Sequence, residues 1–235
     1  MMGSVSRSPQ PAGVMASGTV IGTLLNFRGV LEGLGEQVNR APYNAPPRAP
    51  VLYLKPENTW GLNGAAIALP DDVPAVEVGA TLGVVIGHTA SRVSIGRALE
   101  FVAGYTIVND LTVPHESVFR PAIKARCRDG FCPMGPALVP RESIANPDAL
   151  GIRVYVNGEL RQQNDTRNLV RSVARLLVDV TEFMTLAAGD ILLVGVPESS
   201  PVATAGDRVA VEIDGLGRLE NTLIRAGSMP GGRTS

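Results

Sequence analysis

Hydrophobic positions along this chain follow the spacing of strands more often than the spacing of helices. Alternation or short apolar runs predict strands over residues 51–55, 65–69, 76–86, 105–111, 152–160, 191–194 and 208–213. Helical spacing predicts two helices, over residues 95–103 after Ser94 as a cap and over residues 166–183. The apolar face of the second helix comprises Leu169, Val173, Leu176, Leu177, Val180 and Phe183. Many strands with two helices predict an α+β domain dominated by sheet.

Turn signals divide these segments and indicate the domain organisation. Asn157-Gly158 is the strongest hairpin signal in the chain, and residues 215–217 predict a second hairpin turn. Residues 112–136 contain four prolines and are predicted to be irregular. No internal repeat is present. We therefore expect one domain over residues 18–226, with flexible tails at residues 1–17 and 227–235.

Composition excludes several classes of protein. The chain is 45% hydrophobic and 18% charged, which is typical of a globular domain with a real core, and its formal net charge is −1. That charge gives no electrostatic case for binding nucleic acid. No apolar run approaches the ~20 residues of a membrane helix, and the N-terminus lacks the apolar core of a signal peptide. We expect a soluble, cytoplasmic protein with neither nucleic acid nor membrane as a partner, whose Cys127 and Cys132 are reduced thiols.

A carboxylate at the end of a predicted strand is the first candidate for chemistry. Asp110 follows Asn109 after a buried apolar run, and a carboxylate beside an amide can ligate a hard cation. Alternatively, Asp110 caps the following turn through its backbone. Glu77, Gly79 and Thr81 point to one face of their strand because side chains alternate, but Glu77 is the only carboxylate among the three.

A basic cluster is the second candidate. It consists of Arg120, Lys124, Arg126 and Arg128. Concentrated cations suit a small substrate with several carboxylates, because arginine binds carboxylate with two parallel hydrogen bonds. His115 and Glu116 precede the cluster and can serve as a general acid and base. The alternatives are a solvated loop rich in charge and an inert histidine, and His88 is predicted to be a surface turn residue.

Several segments together resemble the fumarylacetoacetate hydrolase family. They are LYLKPENTW (52–60), GVVIG (83–87), FVAGYTIVND (101–110), CRDGFCPMGP (127–136), VNGELRQQ (156–163) and EFMTLAAGDILLVGVP (182–197). They run in the family's order over most of the chain. PYNAPP (42–47) and RPAIKARCRDGFCP (120–133) look most like the N-terminal half, or separate N-terminal subunit, of the isomerase/decarboxylase of 4-hydroxyphenylacetate (homoprotocatechuate) degradation.

This resemblance implies a fold, a chemistry and a ligand class. The fold is a mixed β-roll or sandwich with a few peripheral helices, usually dimeric. The chemistry is isomerisation and decarboxylation of 2-oxo dicarboxylates or tricarboxylates, with Mg²⁺ or Mn²⁺ as a Lewis acid. The implied substrates are 5-carboxymethyl-2-oxo-hex-3-ene-1,7-dioate and 2-hydroxyhepta-2,4-diene-1,7-dioate.

The resemblance also assigns roles to individual residues. Asp110 matches a metal ligand, whereas Gly79 and Thr81 replace the two glutamates expected on the neighbouring strand, and Glu77 lies two residues early. Arg126 stands where the family has a lysine, and it joins His115 and Glu116, chosen above from their position beside the basic cluster, as a candidate catalytic residue. The candidate substrate-binding residues are Lys55, Arg120, Lys124, Arg128 and Gln162. The histidine and glutamate of the family's N-terminal lid are expected just after Asn26, but no histidine follows Asn26 here. Val196 stands where the family has a threonine.

These departures leave three hypotheses open. The chain is a catalytic isomerase/decarboxylase subunit that uses little or no metal, because a single aspartate does not hold Mg²⁺ without further carboxylates. Alternatively, it is a catalytically degenerate subunit that pairs with a metal-binding relative. A third alternative is a fumarylpyruvate or acylpyruvate hydrolase of the same family. We expect a homodimer or a heterodimer with a related subunit.

Overall fold

Three β-sheets dominate the structure, a computed structural model that describes residues 16–42, 44–115 and 122–228. Strands are numbered β1 to β14 in chain order. The largest sheet has seven strands, in the spatial order Val51–Lys55 (β2), Val20–Leu24 (β1), Ile191–Leu193 (β11), Ala80–Ile86 (β6), Val102–Asn109 (β7), Cys132–Pro140 (β8) and Trp60–Leu62 (β3). Most neighbours in this sheet are antiparallel, but β1 pairs with β11 and β3 with β8 in parallel.

The second sheet has five strands and the third has two. The five are, in spatial order, Glu159–Asp165 (β10), Gly151–Val156 (β9), Arg208–Ile213 (β13), Gly217–Arg225 (β14) and Ala66–Leu69 (β4). The two are Val202–Thr204 (β12) and Ala75–Glu77 (β5). Helices are short and peripheral: Arg28–Leu34 (α1), Ile123–Arg126 (α2) and Val173–Thr181 (α3). The predicted α+β fold class is therefore confirmed.

The main core lies between the two larger sheets. Leu82 and Val84 of β6 and Ile107 of β7 share one fully buried cluster with Val154 of β9 and Val211 of β13. Helix α3 closes the core with its apolar face, and the Ser172 hydroxyl accepts a hydrogen bond from Arg175 N at its first turn. The alternation of buried and partly exposed residues along β9 follows from burial of one strand face.

A smaller apolar cluster covers the opposite face of the seven-stranded sheet. It comprises Ala16, Val20, Val85, Val108, Cys132, Met134, Ile191 and Leu193, with Trp60 packed against it. The register places Lys55 opposite Val20, and Tyr53 opposite Gly22. Residues directly opposite each other in an antiparallel pair project to the same side, so Tyr53 and Lys55 lie beside this cluster. A Cβ atom on Gly22 would collide with the Tyr53 ring, so glycine is required there.

The predicted strand over residues 76–86 is interrupted. Strand β5 ends at Glu77 and pairs with β12, whereas β6 begins at Ala80. Between them the Gly79 carbonyl accepts a hydrogen bond from Asp110 N at 2.7 Å, and Gly79 N donates to Asn109 Oδ1 at 3.1 Å. The chain therefore changes sheets at Val78 and Gly79, next to the end of β7.

Both predicted helices are shorter than their apolar patterns. Ile95–Phe101 forms 3₁₀ turns, and the Ser94 side chain makes no capping hydrogen bond. Of residues 166–183, only Val173–Thr181 is α-helical. Leu169 forms a β-bridge with Phe27, and Phe183 is 67% exposed, so neither belongs to the buried face of α3. Tertiary contacts override the periodicity at both ends.

The hairpin predictions at Asn157-Gly158 and at residues 215–217 are confirmed by the β9–β10 and β13–β14 pairs. In contrast, residues 132–136 of the segment predicted to be irregular belong to β8. The register between β7 and β8 shifts between Tyr105 and Ile107, which lets a strand containing prolines remain in the sheet. Residues 1–15 and 229–235 of the predicted tails lie outside the described residues. No helix in the described ranges is long and apolar enough to cross a membrane.

Candidate functional site

Asp110 is the centre of a buried ionic cluster at the end of β7. Its side chain is fully buried, and its Oδ1 atom lies 2.8 Å from Lys55 Nζ. Its Oδ2 atom accepts hydrogen bonds from Arg126 Nη1 at 3.0 Å and from the Tyr53 hydroxyl. Burial alone would raise the pKa of Asp110, but attraction to Lys55 and Arg126 outweighs it and lowers the pKa below its usual value. Asp110 is therefore ionised and paired with two cations.

Lys55 reaches this cluster from the last position of β2. The residue is 1% exposed, and its ammonium donates to Leu111 O at 3.2 Å and to Arg126 O at 2.7 Å. Two of the three ammonium donors are thus used on backbone carbonyls, and the same ammonium forms the ion pair with Asp110. Lys55 therefore joins β2 to the end of β7 and to the end of α2.

Arg126 and Tyr53 complete the ionic cluster. The guanidinium carbon of Arg126 lies 4.7 Å from the centre of the Tyr53 ring, a cation–π contact. Burial, and then the negative charge of Asp110, raise the pKa of Tyr53 well above 10, so its hydroxyl is a proton donor to Asp110. Arg126 Nε is buried and has no hydrogen-bond partner within the described ranges. The ionic cluster thus consists of Tyr53, Lys55, Asp110 and Arg126.

A cavity of about 290 Å³ opens beside Arg126. Its lining combines β1, the segment after β11 and the end of β5: Thr23, Leu24, Leu25, Val30, Glu77, Arg126, Val196, Pro197, Glu198, Ser199 and Ser200. Burial raises the pKa of Glu77, although the charges of His115 and Arg126 partly oppose this. The cavity therefore offers one guanidinium, two carboxyl groups and three hydroxyls to a small polar ligand.

Glu198 and Tyr53 are site residues that sequence reasoning missed. The Glu198 carboxylate accepts a hydrogen bond from Asn164 Nδ2 at 2.9 Å and fills the space that a side chain at Gly29 would occupy. Gln162 donates from Nε2 to the Glu198 carbonyl at 2.5 Å, so it holds the backbone of this loop. Glu198 follows the GVP segment without any periodic signal. Only the strand alternation of residues 51–55 places Tyr53 on the same face as Lys55.

The remaining predicted site residues are distributed outside this cavity. Arg128 makes two hydrogen bonds to Asp72, each 2.9 Å, and Lys124 lies 3.8 Å from the same carboxylate. Both pairs lie on the protein surface. His115 Nδ1 lies 2.9 Å from Val113 O and close enough to Glu77 to affect its charge. Glu116 and Arg120 lie outside the described residues.

The residues present do not fit a divalent cation. Asp110 Oδ2 accepts hydrogen bonds from Tyr53 and Arg126, and Oδ1 is ion-paired with Lys55 at 2.8 Å, although Oδ1 has no hydrogen-bond partner among the described residues. Gly79 and Thr81 supply no carboxylate, and a Cβ atom on Gly79 would collide with the Asp110 carbonyl oxygen. Within residues 16–42, 44–115 and 122–228, no three His, Cys, Asp or Glu side chains are grouped to hold a metal. Hard cations such as Mg²⁺ need several oxygen ligands, which this cluster does not offer.

The two cysteines are free thiols in different environments, which predicts different reactivity. Burial raises the pKa of Cys132 to about 12 in the small apolar cluster, whereas Cys127 is partly exposed with a pKa that burial also raises. We expect Ellman's reagent to titrate one thiol in the folded protein and two after unfolding. Peptide mass spectrometry should locate the first at Cys127, and Cys127→Ser should abolish native labelling. Native labelling of Cys132 at the same rate would contradict its burial.

The chain is an α+β roll of mixed sheets in which a buried aspartate, lysine and arginine lie beside a polar cavity. The chain belongs to the fumarylacetoacetate hydrolase family. Residues 19–224 match the model of the fumarylacetoacetate (FAA) hydrolase C-terminal domain.

Individual relatives place the chain within that family. It is 41% identical over 207 residues to the 4-hydroxyphenylacetate degradation bifunctional isomerase/decarboxylase of Salmonella dublin, a match that covers 88% of this chain and 47% of that protein. The chain thus spans about half the length of the curated relatives it matches first. The crystal structure of 5-carboxymethyl-2-hydroxymuconate delta-isomerase from Mycobacterium smegmatis is 32% identical with a TM-score of 0.76, covering 92% of this chain and 81% of that one. The crystal structure of 2-hydroxyhepta-2,4-diene-1,7-dioate isomerase from Mycobacterium marinum is 28% identical with a TM-score of 0.74, and the match covers 92% of this chain and 77% of that one.

Proposed function

We propose that the chain is an isomerase/decarboxylase subunit of 4-hydroxyphenylacetate degradation. Its substrates in this proposal are 5-carboxymethyl-2-oxo-hex-3-ene-1,7-dioate and 2-hydroxyhepta-2,4-diene-1,7-dioate. The observation that carries the proposal is the Arg126 guanidinium, which lines a cavity of about 290 Å³ while anchored on buried Asp110. The 41% identity to a relative named for this degradation supports the choice of pathway.

The charges of the cavity suit a polycarboxylate with a 2-oxo group. Arg126 is held in place by Asp110 and Tyr53, so its positive charge is preorganised before the substrate binds. When CO₂ leaves, the electron pair of the broken bond spreads through the neighbouring double bond onto the 2-oxo oxygen. In the isomerisation, the 2-hydroxyl group loses its proton to give an enolate of the same kind, and a carbon of the chain then gains a proton. A fixed guanidinium near that oxygen stabilises the developing negative charge.

In this proposal, Glu77 in the cavity lining transfers protons together with His115 and Glu116 of the segment that follows β7. Glu77 lines the cavity, and burial raises its pKa, which brings a carboxyl closer to the range of a general acid or base. His115 lies near Glu77, and Glu116 follows it in the sequence. In the proposed reaction these groups return a proton to the carbon chain after CO₂ departs or during isomerisation.

A second candidate function is a catalytically degenerate partner subunit. The observation that favours it is the absence of carboxylates at Gly79 and Thr81, together with the engagement of both Asp110 oxygens by the ionic cluster. In this case a related, metal-binding chain carries the reaction, and the present chain completes a heterodimer. Under the first candidate the chain forms a homodimer or such a heterodimer and contributes its own turnover.

Steady-state kinetics on the full chain, alone and mixed with a metal-binding family member, separate the two candidates. The first predicts turnover of the polycarboxylate by the chain alone, with kcat/KM lowered about tenfold to a hundredfold in Arg126→Gln, because a hydrogen bond to a charged group is lost. Arg97→Gln is the matched control, since Arg97 pairs with Glu100 on the surface. Turnover only in the mixture, unchanged by Arg126→Gln, would establish the second candidate instead.

A further inference from the structure

We propose that the ion-paired side chains of Lys55, Asp110 and Arg126 occupy the place of a divalent cation in this chain, so that Arg126 binds the carboxylate of a 2-oxo acid without any metal. The class of ligand rests on the proposed function, whereas the absence of a metal requirement rests on the ionic cluster itself.

Charge balance is the first argument. Asp110 contributes −1, and Lys55 and Arg126 contribute +1 each, so the ion-paired groups sum to +1. A divalent cation at Asp110 would have to displace Lys55 or Arg126, or lie against both of them. Repulsion between like charges is strong where water is excluded, and one carboxylate does not offset the four positive charges of a divalent cation, Lys55 and Arg126. The cluster therefore disfavours a metal at Asp110 and places one net positive charge beside the cavity, which Glu77 and Glu198 also line.

Backbone packing is the second argument. The Gly79 carbonyl accepts the Asp110 N–H at 2.7 Å, so the end of β7 closes directly over residue 79. A side chain at this position would collide with the Asp110 carbonyl oxygen. On the other side, the absence of a side chain at Gly22 lets the Tyr53 ring reach Asp110. Packing between strands thus maintains the metal-free arrangement. The loss of metal-binding carboxylates is only one part of the difference.

Unused hydrogen-bonding capacity is the third argument. Arg126 uses Nη1 on Asp110, but its buried Nε makes no hydrogen bond in the part of the chain that the structure describes. The Thr23 hydroxyl, which lines the same cavity, is likewise buried without a described partner. Ser199 and Ser200 add hydroxyls to the lining. An arginine fork flanked by hydroxyl groups matches the geometry of a carboxylate.

The cavity carboxylates refine the ligand class. Glu77 and Glu198 line the same space and repel a simple anion, so the carboxylate of the ligand must lie on the Arg126 side. A 2-oxo acid in its enol form carries a hydroxyl that can donate a hydrogen bond to a glutamate. The cavity therefore favours a 2-oxo acid over a simple dicarboxylate such as succinate.

Calorimetric titration of the purified full chain with 2-oxoadipate, in excess EDTA and again in saturating MgCl₂, tests this inference. We expect Kd values that agree within about twofold between the two conditions, and a Kd weakened about tenfold or more in Arg126→Gln, from loss of a charged hydrogen bond. Arg126→Lys should retain part of the affinity, and Arg97→Gln should match the parent chain. Succinate should bind more weakly than 2-oxoadipate. Thermal unfolding of each variant verifies that it is folded.

Electron paramagnetic resonance with Mn²⁺ gives an independent measurement. We expect the spectrum of free Mn²⁺ to remain unchanged when the chain is added, with or without 2-oxoadipate. A bound Mn²⁺ signal, 2-oxoadipate binding that requires Mg²⁺, or no 2-oxoadipate binding under either condition would each overturn the inference. Metal-free binding without turnover would support this inference and contradict the catalytic proposal. Turnover that requires Mg²⁺ would support the catalytic proposal and contradict this inference.

Discussion

Asp110→Asn will lower the free energy of unfolding by about 3–5 kcal/mol, the loss typical of breaking a buried ion pair from one side. The substitution preserves shape but leaves Lys55 and Arg126 buried without the negative charge that now lies 2.8 and 3.0 Å from them. Denaturant unfolding at fixed protein concentration, followed by circular dichroism, measures the change. This is the largest loss of stability that we expect from a single polar substitution in the chain.

Asp72→Asn is the matched control for this prediction. Asp72 also pairs with two cations, Arg128 and Lys124, but its side chain is 54% exposed, so its replacement should lower the free energy of unfolding far less than Asp110→Asn does. The double variant Asp110→Asn with Lys55→Met should recover part of the loss, because one unpaired cation is removed. Equal effects of Asp110→Asn and Asp72→Asn would show that the ionic cluster is solvated in solution.

Asn26→Ala will lower the free energy of unfolding by about 3 kcal/mol. Leaving a buried polar group without its partner costs about 1–3 kcal/mol, and this substitution removes three hydrogen bonds together. Asn26 Nδ2 donates to Val194 O at 2.8 Å and to Arg171 O at 3.2 Å, and Asn26 Oδ1 accepts from Arg171 N at 2.9 Å. This one side chain connects the end of β1 to the segment that leads into the cavity loop and to the segment before α3.

The same denaturant assay tests Asn26→Ala, with Asn39→Ala as its control. Asn39 is exposed and has one weak side-chain contact, to Glu36 at 3.5 Å, so a change below about 0.5 kcal/mol is expected. Because the Val194 segment leads to Val196 and Pro197, Asn26→Ala should also weaken binding of 2-oxoadipate. Unchanged stability would mean that water replaces all three hydrogen bonds.

Sequence patterns predicted two strands with their observed bounds, residues 51–55 and 208–213. The first was predicted from its apolar and aromatic content and the second from its alternation. The same logic failed over residues 76–86, because apolar residues continue through Val78 while the backbone leaves one sheet and enters another. The hydrogen bond between Asp110 and Gly79 decides that break, and no local pattern encodes a contact between residues so distant in sequence.

The site was accessible from the sequence only in part. Asp110 and Arg126 were singled out separately, by strand position and by local charge, and the structure brings them together. Charge density alone did not distinguish Arg126 from Lys124 and Arg128, which lie at the surface with Asp72. Lys124 and Arg126 lie two positions apart on α2 and therefore project to different sides of it, whereas Arg128 follows the end of the helix. The functional assignments of all these residues remain predictions.

Gly22 and Gly79 limit the substitutions that this site can accept. A glutamate introduced at position 79 meets the backbone of Asp110, and any side chain introduced at position 22 meets the ring of Tyr53. Tyr53 must therefore shrink before Gly22 can change, and the end of β7 must move before position 79 can accept a ligand. A single side chain added at either glycine therefore meets a steric barrier set by neighbouring strands. The packing around β1, β2 and β7 thus limits which groups this site can carry.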